Sequence, residues 1–126
     1  MKTSPSRKKI LVVEDDDAIR ESMLELLEGE GYLVSSAENG QIALDSLCAA
    51  TELPDLILLD LMMPIKDGFQ FCSEKALNEK IAKVPVIVMS AYGQIQEKQE
   101  KARAVAHIRK PFDIDHVIET VKRFCG

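Results

Sequence analysis

The chain has 126 residues, 46% of them apolar and 29% charged. That suits one globular domain with a real core and is too apolar for disorder. Sixteen Lys and Arg against twenty-one Asp and Glu leave a net charge of −5, a balance that speaks against nucleic-acid binding by general phosphate attraction. No apolar run approaches the ~20 residues of a membrane helix. The cysteines Cys48, Cys72 and Cys125 form neither a CxxC pair nor a disulfide framework. The basic start, MKTSPSRKK, precedes an apolar run too short for a signal peptide, so a cytoplasmic, reducing setting is expected.

Residues 1–8 lack periodicity and read as a mobile tail, with one domain over 9–126. Ile10 to Val13 is continuously apolar, as in a parallel strand covered on both faces. Ile19, Met23, Leu26 and Leu27 mark one helical face, with Asp17 as the expected N-cap and Gly29 or Gly31 as the stop. Tyr32 to Ala37 reads as a second strand, Asn39-Gly40 as a turn, and Ile42 to Leu47 as a helix broken by Pro54. Asp55 to Asp60 is a third strand, and a helix with Phe69, Cys72 and Leu77 starts near Asp67-Gly68. Val84 to Met89 is a fourth strand ending at Ser90. Residues 94–103 are polar but helix-prone, anchored by Ile95 and Ala102. Val105 to Ile108 is a fifth strand stopped by Lys110-Pro111, and Asp113 caps a last helix carrying Ile114, Val117, Ile118, Val121 and Phe124. Five strands alternating with five helices predict an α/β domain, a doubly wound (βα)5 parallel sheet with right-handed crossovers.

In such sheets ligands bind beyond the carboxyl ends of the strands. Those ends carry Glu14 and Asp15, Asp60, Ser90 and Lys110. Three converging carboxylates repel one another unless a cation sits among them, and all-oxygen ligation suits Mg²⁺, with Mn²⁺ a further candidate. A phosphoryl group between that metal and the Lys110 ammonium is neutralised on both sides. Asp60 is then a suitable acceptor and the Ser90 hydroxyl a donor to a phosphoryl oxygen. Asp16 and Asp17 have a simpler use at the positive end of the following helix. Cys48 and Cys72 read as small buried packing residues, Cys125 as an adventitious thiol near a fraying end, and His116 as a surface residue.

The stretches ILVVEDDD, PDLILLDLMMPIKDGF, VPVIVMSA and KPF together resemble the receiver domains of two-component response regulators, of the stand-alone chemotaxis-regulator type. The resemblance covers residues 8 to 125 and implies a flavodoxin-like fold with strand order 2-1-3-4-5. It implies Asp60 as phosphoacceptor, Mg²⁺ on Glu14, Asp15, Asp60 and the Met62 backbone carbonyl, and Ser90 and Lys110 on the phosphoryl group. Met62 and Tyr92, two residues after Asp60 and Ser90, are then the positions that tune phosphoryl lifetime. Ser90 and His107 become the switch pair that moves helix 94–103, strand five and the last helix. The implied partners are a histidine kinase or histidine phosphotransfer protein and a downstream protein, with neither nucleic acid nor membrane bound directly.

The sequence departs from the family pattern in three places. Glu14 stands where Asp is also common, so its metal contact is expected to be longer or through water. The stretch from Ser90 to Lys110 is about two residues short and lacks a Gly-Ala pair. His107 replaces the usual Tyr or Phe. No output segment follows Gly126 in this sequence, so signalling by docking is expected. Passing the phosphoryl group on in a relay is the alternative, as is a receiver excised from a larger regulator or hybrid kinase. A phosphohydrolase is disfavoured because Met62 stands where a second Asp would serve as acid-base. A nucleotide-binding module is disfavoured because Glu-Asp-Asp-Asp replaces a glycine-rich loop. The protein is therefore expected to be a switch and not an enzyme acting on outside substrates.

Overall fold

Strand β1 (Lys9–Val13) is an interior strand of a parallel sheet. It pairs in parallel with β2 (Leu33–Ala37) on one side and β3 (Leu56–Asp60) on the other. Strands β4 (Val86–Ser90) and β5 (Ala106–Arg109) extend the sheet from β3 in the order 2-1-3-4-5. The computed structural model describes residues 8–61, 66–90, 104–110 and 113–125. Four helices lie among them: α1 (Asp17–Gly29), α2 (Gly40–Ala49), α3 (Gly68–Leu77) and α4 (Ile114–Cys125). The helix expected over 94–103 and residues 1–7 of the tail expected over 1–8 lie outside the described residues.

Side chains alternate across each strand, so the sheet has two cores. Leu11, Val13, Ile57, Leu59 and Val88 face Ala43 and Leu47 of α2 and Phe71 of α3. Ile10, Val12, Leu58, Met89 and Ile108 face Met23 and Leu27 of α1 and Val117 and Val121 of α4. This two-sided burial is why β1, β3 and β4 read as continuous apolar runs. All five residues of β3 are buried, Asp60 included. Each of its four aliphatic side chains contributes about 1.5–3 kcal/mol on burial, which offsets the several kcal/mol of holding a carboxylate at its end.

The helix boundaries follow local chemistry, with several departures from expectation. Asp16, not Asp17, caps α1: Asp16 is extended and its side chain accepts from the Ile19 amide, while Asp17 is the first helical residue. Gly31, at φ 95, turns the chain from α1 into β2, a conformation costly for any residue with a Cβ. Asp67 and Gln70 form a capping box at the start of α3. Asp113 caps α4, its carbonyl accepting from Val117 and its side chain from Asp115.

Cys48 is exposed, because Leu47 takes the sheet side of the last turn of α2 and Cys48 faces the α3–β4 connection, where Asn78 donates to its Sγ. Cys125 is buried, continuing the stripe of Val117 and Val121. Leu77 and Ile114 are exposed at helix ends. Lys75 is buried instead, its ammonium donating to the Ala82 carbonyl. Cys72 is buried and His116 exposed, as expected.

Candidate functional site

Parallel neighbours in a sheet lie about 4.8 Å apart, so consecutive strand ends place their next residues side by side. Asp60 ends β3, Glu14 and Asp15 follow the adjacent β1, and Ser90 ends β4 on the other side. Lys110 follows β5, one strand further out, and its long side chain spans that gap. Its amide donates to the Ser90 carbonyl at 2.9 Å, which fixes its backbone at the rim.

Glu14, Asp15 and Asp60 each offer a carboxylate oxygen within 4.8 Å of the others. Glu14, Asp60 and Ser90 are buried, whereas Asp15 is exposed. The Lys110 ammonium lies 2.8 Å from Glu14 Oε1 and 3.3 Å from Asp60 Oδ2. One ammonium thus answers two buried carboxyl groups. Burial pushes the Glu14 carboxyl up to about 7; its hydrogen bond with Lys110 pulls the other way and Asp60 adds to the rise. Burial works to lower the Lys110 pKa, but Glu14 and Asp60 outweigh it and hold the ammonium above its ordinary range.

The oxygens fit a small hard cation. Octahedral ligands at the roughly 2.0–2.1 Å typical of Mg²⁺ lie about 3 to 4 Å from one another, a range compatible with oxygens that all lie within 4.8 Å. Glu14 is the least available donor. Its Oε1 is engaged by Lys110, its Oε2 accepts from the Asp16 amide at 3.3 Å, and its own amide donates to Ala37.

His107 is half-buried on the edge strand β5, opposite Val88. It alternates with Ile108, which faces α1 and α4, and so lies on the other side of the sheet. Met62 and Tyr92 lie outside the described residues. Sequence reasoning missed Arg20, whose Nη1 donates to the Glu14 carbonyl at 3.0 Å while Nη2 pairs with Asp17. The Asp17–Arg20 spacing of one helical turn was visible, but the reach back to the strand end was not.

Among the described residues, no helix is long and apolar enough to cross a membrane. A family model described as the response regulator receiver domain matches residues 10–122. The chain is 40% identical over 119 residues to sporulation initiation phosphotransferase F of Bacillus subtilis (strain 168), covering 92% of each. It is 38% identical over 117 residues to the DNA-binding dual master transcriptional regulator RpaA of Synechocystis, covering 90% of this chain and 47% of that one. It therefore spans nearly all of the first relative and about half of the second. The structure of response regulator TrrA from Thermotoga maritima, in complex with Mg²⁺–BeF, superposes with a TM-score of 0.81 at 33% identity, covering 93% of this chain and 98% of that one. The family match runs through every strand end that forms the pocket, and the chain belongs to the receiver domains of two-component response regulators.

Proposed function

We propose that residues 9–126 form a phosphoacceptor switch in which Asp60 takes a phosphoryl group from a phosphohistidine of a histidine kinase or phosphotransfer protein. The observation that carries this reading is the placement of Asp60: a buried carboxylate at the end of an apolar central strand, beside two further acids and one ammonium. An Asp60 oxygen forms the new O–P bond. The P–N bond to the donor imidazole breaks, and its electron pair stays on that ring. Mg²⁺ on Glu14, Asp15, Asp60 and the Met62 carbonyl would supply charge neutralisation for the transferring group. Lys110 faces the same group from the opposite side, and Ser90 is the hydroxyl donor to its oxygens. No outside substrate is turned over, so the protein is a switch and not an enzyme in the ordinary sense.

The response is a changed docking face built from the region after Ser90, β5 and α4, with Ser90 and His107 as the coupled pair. A downstream protein reads that face. A relay role is favoured by one observation: nearly full-length similarity to a relative named as a phosphotransferase. In that role Asp60 returns the phosphoryl group to a second histidine. Met62 and Tyr92 are neither acids nor amides that orient a water, so Met62→Asn is expected to speed phosphate release.

The test is incubation with acetyl phosphate and Mg²⁺ followed by intact mass. A single added phosphoryl group, lost in Asp60→Asn and in metal-free buffer, is expected; an unmodified wild-type chain overturns the reading. Mg²⁺ at a hundredfold excess over its dissociation constant should also stabilise the fold by about 2.7 kcal/mol. Asp15→Ala should remove most of that gain in a melting experiment.

A further inference from the structure

Resting on that reading of the pocket, we infer that Arg20 is a positioning residue: by holding the Glu14 carbonyl it fixes the peptide from which the Asp15 carboxylate is aimed at the cation. Glu14 is fastened at several points. Its amide donates to Ala37, its Oε1 accepts from Lys110, its Oε2 accepts from the Asp16 amide, and its carbonyl accepts from Arg20 at 3.0 Å. The carbonyl belongs to the Glu14–Asp15 peptide, so the Arg20 bond sets the plane of that peptide. Asp15 itself is exposed, in a bend between β1 and α1. An exposed carboxylate takes its direction largely from the backbone that carries it.

Arg20 is built for this task. It lies on the first turn of α1, which Asp16 caps, so its Cα is fixed by the helix. Its two terminal nitrogens act at once, Nη1 on the Glu14 carbonyl and Nη2 on Asp17, and its side chain is only 17% exposed. A planar fork divided between two acceptors holds a rigid geometry that a lysine ammonium does not reproduce. The requirement is strict, because Mg²⁺ wants near-octahedral ligands at about 2.0–2.1 Å and designed sites of this kind tolerate displacements of only ~0.5 Å.

The electrostatic role of Arg20 predicts the opposite sign. A guanidinium near an acidic pocket repels an incoming cation, so its removal, acting through charge alone, tightens Mg²⁺ binding. Positioning predicts that removal weakens binding, by about tenfold, at the low end of what losing an outer partner of a metal ligand typically costs.

The experiment titrates MgCl2 into ¹⁵N-labelled wild type, Arg20→Gln and Arg20→Lys, following the amide signals of Glu14, Asp15 and Asp60, with melting temperatures recorded in EDTA. Weaker Mg²⁺ binding in both variants, with Arg20→Lys weakened although its charge is kept, supports the inference. Equal or tighter binding in Arg20→Gln overturns it. Lower melting temperature in EDTA with unchanged Mg²⁺ affinity also overturns it, because Arg20 then only stabilises the fold. If Arg20→Gln fails to fold, the affinity of Arg20→Lys decides. A wild type whose signals do not respond to Mg²⁺ removes the metal reading itself and the inference with it.

Discussion

At Lys110 a single ammonium lies between two buried carboxylates, 2.8 Å from one and 3.3 Å from the other. Removing one partner of a buried ion pair leaves an uncompensated charge and costs about 3–5 kcal/mol. Lys110 is 17% exposed, and water reaching the site reduces the loss. Lys110→Met is therefore expected to lower metal-free stability by about 2–3 kcal/mol in urea unfolding. Asp60→Asn moves the other way, raising metal-free stability by on the order of 1 kcal/mol through relief of carboxylate repulsion. Equal effects of the two changes would contradict the assignment of Lys110 as the counter-ion of this pair. The convergence of Glu14, Asp15, Asp60, Ser90 and Lys110 was legible in the sequence because each closes or follows an apolar run, and parallel topology sends all those ends to one edge. Arg20 was not legible, because an arginine on the first turn of an amphipathic helix looks like any solvated residue until the backbone of the preceding loop is known.

Among the elements, α3 packs its first turn directly against the backbone of the pocket. A Cβ on Gly68 meets the Leu61 Cα at 2.8 Å and the Asp60 carbonyl oxygen at 3.1 Å, and the Gly68 amide donates to Leu61 at 3.0 Å. The first turn of α3 therefore rests on the backbone that carries Asp60. Gly68→Ala is expected to cost roughly 2–3 kcal/mol, since main chain must move. It should also weaken Mg²⁺ binding; unchanged stability and metal response would show that α3 does not brace Asp60. Further along α3, burial pushes the Cys72 thiol up to about 11. The unfolded thiol ionises from about 9, so between these values the folded chain holds a proton the unfolded one has released. Stability from this group is full below pH 9 and lost as pH rises to 11. Nearby Lys75, its pKa lowered chiefly by burial, contributes with the opposite sign, so the comparison needs a variant. Cys72→Ala should be less stable than wild type at neutral pH, through its cavity, and should lose less between pH 9 and 11. A parallel decline in both proteins would contradict a buried neutral thiol. The burial of Cys125, read from the sequence as a thiol near a fraying end, follows from its place four residues after Val121 and eight after Val117 on one stripe. The exposure of Cys48 and Leu77 was not legible, because both lie in last turns where the helix face leaves the sheet.

For the whole molecule, the parallel sheet and its two-sided burial follow from the continuous apolar runs and the strict alternation of strand and helix, whereas the strand order 2-1-3-4-5 was implied only by the family resemblance. The cap of α1 shifted by one residue because both Asp16 and Asp17 have the right chemistry, and only the backbone conformation of Asp16 separates them. On the proposed reading, Asp60 alone of the three clustered carboxylates accepts a phosphoryl group, and Glu14 and Asp15 stay unmodified beside it. The most direct test of that reading is to phosphorylate the protein with acetyl phosphate and Mg²⁺, reduce the acyl phosphate with borohydride, and map the product by peptide mass spectrometry. Homoserine at position 60 alone is predicted; reduction at position 15 or 14, or no reduced residue at all, would contradict the account.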